Sequence, residues 1–417
     1  MALSDIYQKA SLVQIPSGYK SGTLYSVVPN TADGDFTVTG DPEGEATRVN
    51  KDGLIETVAA NVPRLDYPLL DGVVQDCPTL LLEPTRTNSI TYSEDFSDSS
   101  WNKNNATVTS NNTTAPDGTT NADKITSTGT APYARVTFTH STLTSYAVSI
   151  FAKKGDEDYL YIRALALSNQ PIASFNLSTG SLGTVNSGLT AEMQNYGNGW
   201  YRCVIKYTTT SSITNNLIDF GFASSDNSRF SSSGKFTYFW GAQIETGSYA
   251  TSYIPTSGSA VTRSADVCNN AGNSNVFNDS EGVLYAEIAA LANDGTFRMI
   301  TVSDGTNDNR VRINYTSTSN QIQSRVIDGG STVVDFNHTL TDITTSVKVA
   351  IKYKANDCSM WVNGSEVGTD TSATMPSGLD TLNFDGGAGT NDFYGKVKDI
   401  KVYNTALSDS ELQALTT

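Results

Sequence analysis

Histidine is nearly absent from this chain, with His140 and His338 the two in 417 residues. A histidine-rich metal centre or a Ser-His-Asp triad has little to draw on, and both residues sit in alternating polar stretches that read as strand or surface positions. Cysteine is equally sparse: Cys77, Cys203, Cys268 and Cys358 lie far apart, without the paired spacing of zinc or redox motifs, and are read as free thiols. Basic residues are outnumbered, 27 Lys and Arg against 43 Asp and Glu, for a net charge of -16. Nucleic-acid affinity rests on Lys and Arg neutralising phosphates, so nucleic acid is not an expected partner. No stretch approaches 18 consecutive apolar residues, and the opening "MALSDIYQKASLVQIPSGYK" lacks the charged, apolar, small-residue order of a signal peptide. The expectation is a protein made in a cytoplasm, with no membrane span. Long amphipathic helices are also missing.

Thr, Ser, Asn and Gly are abundant, and short alternating runs recur, so the fold class expected is all-β. In "YAVSIFA", Tyr146, Val148 and Ile150 fall on one face and Ala147, Ser149 and Phe151 on the other. Similar runs between turn clusters ("ARVTFTH", "DYLYIRALAL", "WYRCVIKYTTT", "LIDFGFAS", "FTYFWGAQIE") make 86–265 a β-sandwich. The polar, Asn- and Gly-containing stretch to Asn275 reads as a linker, 266–275. A second module, 276–417, follows. There "VKVAIKYKA" alternates cleanly, Asn363-Gly364 supplies a type I′ hairpin turn, and Ser408 with Glu411 forms a capping box for a closing helix.

Residues 1–85 hold turn signals and short apolar pieces, with one hairpin from Arg48 and Val49 to Leu54 and Ile55 turned by Asn50 to Gly53. They are expected to form an extended N-terminal attachment and oligomerisation arm. Ile15, Leu24, Val27, Val28, Leu54, Ile55, Val58, Leu65, Leu69 and Leu70 are too many apolar side chains to leave in water, so they should cover a partner or another copy. On this reading a chain lacking 1–85 folds as a soluble two-domain protein.

In "DGTFRMITVSDGTNDNRVRI", "VKVAIKYKANDCSMWVNGSEVGT" and "FYGKVKDIKVYNTALSDSELQAL" the last 135 or so residues resemble concanavalin A-like, laminin-G-like jelly rolls. Residues 86–265 resemble the carbohydrate-binding-module-like sandwiches of bacteriophage virion proteins, through "EPTRTN", "YSEDFSDSSW", "APDGTTNADKI", "GNGWYRCVIKY" and "WGAQIETGSYATSYIPT". The arm resembles the segment preceding such modules in phage fibre proteins. The resemblance implies a structural protein of a tailed phage particle, located in the virion, with no defined catalytic residues. It is joined to portal, capsid or tail through 1–85 and is a homo-oligomer, with a trimer as first guess.

The acids Glu94, Asp95 and Asp98 of "YSEDFSDSSW" lie in a loop with no second carboxylate set in register, and are read as turn residues beside Tyr92, Phe96 and Trp101. The Glu-x-Asp-x-x-Glu run usual in concanavalin-like hydrolases is missing, so no enzyme is expected. Calcium takes oxygen ligands from loops, which makes Asp304 and Asp308 of "SDGTNDN" the metal candidates, with Asp117 and Asp123 a second pair. For sugars, Tyr249 and Tyr253 of "GSYATSYIP" are the loop aromatics able to stack on a pyranose, while Trp200, Tyr201, Tyr238 and Trp240 read as core. The function expected is weak, multivalent adhesion to host surface glycans. The alternatives are a polysaccharide depolymerase or lyase and a purely architectural subunit.

Overall fold

A computed structural model describes residues 3–41 and 45–417; the parts of the expected arm at 1–2 and 42–44 lie outside them. The described chain is all-β except for the short helices Leu3–Tyr7 and Asp409–Thr416 and one 3-10 turn, Ala32–Gly34.

Two six-stranded antiparallel sheets build the first module. The strand Ser145–Lys153 lies between Trp200–Thr208 and Phe236–Thr246, with Val148 opposite Ile205 and Ile244. Alternation sends Val148, Ile150 and Ala152 inward against Leu160, Ile162, Phe220 and Phe222 of the other sheet. Phe96 and Trp101 close one end of this core, their ring centroids 4.7 Å apart. Asp95 and Asp98 each accept a backbone N–H two residues on, from Ser97 and Ser100. They serve as turn acids.

The second module stacks an eight-stranded sheet on a five-stranded one. Asn363 and Gly364 turn their hairpin with φ of 47° and 79°. Glu411 accepts from the Ser408 backbone N–H and closes the capping box.

Apart from the helix Leu3–Tyr7 and the turn Ala32–Gly34, the described residues of 1–85 run as short extended strands, and much of the surface they cover belongs to their own chain. Strand Gly395–Tyr403 carries Glu281–Ala290 on one edge, and on the other both Leu12–Gln14 (Leu12 opposite Val402) and Thr79–Leu82 (Leu80 opposite Val397). Phe36–Thr39 pairs with Val267–Asn269. Leu12, Leu24, Phe36, Leu65, Leu80 and Leu82 are therefore buried in the same core as Ile300, Val349 and Ile400. Each such side chain contributes about 1.5–3 kcal/mol of burial, which the C-terminal module's own sheet supplies without any partner. The expectation that these side chains need an external surface is corrected for Leu24, Ile55, Val58 and Leu65, while Val27 and Leu70 remain exposed at 50% and 65%. Likewise 266–275 is no linker: Cys268 and Ala271 are buried in that core, because a strand pairing satisfies the backbone there. The expected hairpin forms, with Val49 opposite Ile55, and lies on the outer face of the first sandwich.

Candidate binding cleft

A cleft of about 1090 Å³ opens where 1–85, the first sandwich and the C-terminal module meet. Its first wall is the edge of the sheet ending in Trp200–Thr208 and Thr190–Asn195. Glu192 stands opposite Val204 and Gln194 opposite Arg202, so both share the outer face with Arg202 and Lys206. Lys206 Nζ reaches Glu192 Oε2 at 3.1 Å. Arg202 is buried, its Nε and Nη2 donating to Ser149 Oγ and its guanidinium 5.5 Å from the Phe151 ring.

The second wall is the hairpin Leu69–Leu70 with Val73–Val74. Its tip rests on the Tyr196–Gly199 turn so closely that a Cβ on Gly197, at φ 76°, would lie 2.7 Å from the Gly72 carbonyl oxygen. Glycine is required there on two counts, the left-handed backbone and the approach of another chain segment. Loop residues Asn293 and Asp294 of the C-terminal module close the far end.

Behind the cleft lies a buried charge network. Arg64 Nη1 donates to Glu83 Oε2 at 2.7 Å and Arg64 also binds Asp266, while Arg263 Nη1 reaches the same Glu83 oxygen at 2.5 Å. Ser252 donates to Glu83 through both its backbone N–H and its hydroxyl. Burial alone would raise the Glu83 carboxyl, but Arg263 and Arg64 overcome it and hold the group well below the usual range. At the rim, burial opposes and Arg298 prevails in lowering Asp294. Neither has the raised pKa that a general acid needs.

The sequence-predicted residues fall as follows. Tyr253 lies along the cleft but is 3% exposed, its ring 4.7 Å from Trp240 and its hydroxyl donating to Glu94 Oε1 at 2.8 Å. Tyr249 is 7% exposed, with the Arg86 guanidinium 5.4 Å from its ring. Both rings are already packed against the protein, so an open stacking face is lacking at either. Trp200 and Trp240 are buried as expected. Asp304 accepts from Thr306 N–H and Oγ1 and from Asn309 Nδ2, and Asp308 lies farther along the same turn. Among the described residues no three His, Cys, Asp or Glu gather as a metal cage. Asp117 accepts from Thr119 and Asn121, whereas Asp123 is buried and accepts the Phe96 and Asn111 N–H groups. The four cysteines are free, three of them buried.

The cleft residues Glu192, Gln194 and Arg202 went unnoticed in the sequence, although the alternation of "TAEMQNY" and "WYRCVIKY" places them on one face. The missing information was which strands pair.

Residues 269–413 match the concanavalin A-like lectin/glucanases superfamily. A comparison with curated protein sequences finds no match. Among solved structures, the chain is similar to the carbohydrate-binding module CBM40 of the Ruminococcus gnavus IT-sialidase bound to alpha2,3 sialyllactose, with 16% identity, 36% of this chain and 94% of that one covered, and a TM-score of 0.30. It is similar to a mutant NanB sialidase from Streptococcus pneumoniae at 18% identity, covering 34% of this chain and 25% of that one, TM-score 0.29. The heptameric SAP-like pentraxin of Limulus polyphemus shares 10% identity over 33% of this chain and 70% of its own, TM-score 0.28.

Proposed function

We propose that this protein is a non-enzymatic glycan-binding subunit of a tailed bacteriophage particle, and that the cleft beside Glu192, Gln194 and Arg202 holds the glycan. The observation that carries the binding reading is the cleft itself. It is large, and its walls combine amide, carboxylate and ammonium groups, which exchange hydrogen bonds with sugar hydroxyls, with apolar side chains such as Leu69 and Leu70. Glu83 and Asp294, two of the carboxylates lining it, are held ionised by arginines and so are unsuited to be the general acid of a hydrolase.

The virion setting is supported by the resemblance of "YSEDFSDSSW", "GNGWYRCVIKY" and the segment before them to phage fibre proteins. Several copies on a particle, a trimer first, make a weak site sufficient. A millimolar site is worth about -4 kcal/mol, and multivalent display raises avidity by about 10²–10⁴. A glycan array probed with the full chain and with Gln194→Ala and Glu192→Ala tests the reading. Binding to a glycan class that falls about tenfold in either variant supports it, and a blank array removes it. New reducing ends from host polysaccharide would make the protein an enzyme instead.

A further inference from the structure

The cations along the cleft already have partners. Lys206 Nζ meets Glu192 Oε2 at 3.1 Å, Arg48 Nε meets Glu56 Oε1 at 2.8 Å, and Lys396 Nζ lies 3.6 Å from Asp66 Oδ2. Arg202, the remaining cation among the described lining residues, is 3% exposed and directed onto Ser149. Asp71 adds a further carboxylate to the same space. A sugar bearing a carboxylate or sulfate would therefore bring a negative charge to walls with no cation left to answer it, on a chain of net charge -16.

The pair Lys206–Glu192 belongs to a hydrogen-bonded row that solvent reaches. Gln194 Nε2 donates to Glu192 Oε1 at 3.3 Å, while Lys206 donates to the other oxygen. The side chains of Lys206 and Glu192 are 27% and 37% exposed, and Gln194 is exposed as well. Donors on Lys206 and Gln194, and lone pairs on Glu192 and Gln194, remain for a ligand. Vicinal hydroxyls of a pyranose each donate and accept, and so fit such a row.

The other wall is apolar. Tyr67, Pro68, Leu69 and Leu70 are consecutive, all four line the cavity and none is buried, with Leu70 at 65% exposure. The segment is held in place from behind: Leu65–Asp66 pairs with Thr79–Leu82, and the Tyr67 N–H donates to the Val49 carbonyl at 3.0 Å. Tyr249 and Tyr253 are buried, whereas Tyr67 is half-buried. A pyranose has a face of C–H groups and a rim of hydroxyls, and these two walls divide in the same way.

We propose, on the reading that the cleft holds a glycan, that it selects neutral pyranoses: the C–H face rests on Tyr67 and Leu70, vicinal hydroxyls bond Glu192, Gln194 and Lys206, and the Lys206–Glu192 ion pair turns acidic sugars away. The full chain is titrated by ligand-observed NMR with the methyl glycosides of galactose, glucose and mannose and with sodium glucuronate, at up to tens of millimolar. At least one neutral glycoside should bind, about tenfold or more tightly than glucuronate, and Tyr67→Ala and Gln194→Ala should each weaken it about tenfold. Glu192→Gln, which frees Lys206, should admit glucuronate and narrow the preference. Glucuronate bound by the parent as tightly as any neutral glycoside, and weakened by Gln194→Ala, overturns the selectivity while leaving the cleft a glycan site. Neutral binding unchanged in both Tyr67→Ala and Gln194→Ala overturns the roles given to the two walls. No binding of any of the four sugars also overturns the proposal, and the glycan array then separates the causes: a blank array removes the cleft reading too, whereas signal on acidic glycans that Gln194→Ala abolishes keeps it.

Discussion

Arg64 and Glu83 form a buried ion pair, 2.7 Å apart with side chains 1% and 4% exposed, at the point where the N-terminal segment, the first sandwich and the C-terminal module converge. Arg64 precedes the strand Leu65–Asp66, Glu83 follows Thr79–Leu82, and the same carboxylate takes Arg263 from beyond the sandwich. One acid therefore ties three parts of the chain together. Replacing Glu83 by Gln leaves Arg263 without its counter-charge and Arg64 with Asp266 alone, and should cost about 3–5 kcal/mol. Denaturant unfolding measures this, and a loss below about 1 kcal/mol would mean that the network is solvated.

Removing residues 1–85 should not yield a well-behaved two-module protein. It strips the strands paired with Gly395–Tyr403 and uncovers core around Val397 and Val402. An open apolar strand edge is an aggregation site. The truncated chain is expected to aggregate or melt far below the full one, as size-exclusion chromatography and thermal scanning will report. A monodisperse species with the parental melting temperature contradicts the strand pairing.

Asp123 gives a pH signature. Burial raises its pKa from 3.8 to about 6 despite the two backbone donors it accepts from. The folded protein therefore binds this proton more tightly than the unfolded one. The stability it contributes is complete below 3.8 and is lost as pH rises through about 6. Glu83 works the opposite way, losing its contribution as the solution becomes acidic. The two are separated by comparing the stability curve with that of Asp123→Asn, whose fall between pH 4 and 6 should flatten; identical slopes would place Asp123 in solvent.

Gly197→Ala should undock the hairpin that roofs the cleft. The left-handed backbone and the contact with the Gly72 carbonyl together cost about 1–3 kcal/mol. Limited proteolysis within 69–74 should speed up while the sandwich core keeps its melting cooperativity. Unchanged cleavage would show that the contact does not hold the hairpin.

Calcium is checked at Asp304 and Asp308 by melting the full chain in chelator and in millimolar calcium. With the Asp304 oxygens already taken by Thr306 and Asn309, no shift is expected. A rise that Asp304→Ala abolishes would install the metal there.

Much of the local structure was legible in the residues. The period of two in "YAVSIFA" and "VKVAIKYKA", the Asn363-Gly364 turn and the Ser408–Glu411 cap depend on neighbours along the chain, and local sterics and hydrogen bonding determine them. Composition and the short alternating runs likewise pointed to the all-β class. The tertiary structure alone decided where the N-terminal strands went. Leu80 pairs with Val397 across more than three hundred residues, and a strand edge exposes the same backbone groups to any extended segment. The sequence could show that the segment's apolar side chains needed cover, but not whose sheet would provide it. The same limit hid the cleft: alternation assigns Glu192, Gln194 and Arg202 to a side of their strands, whereas strand order and the loops packed over each sheet determine which groups meet there and which find a partner.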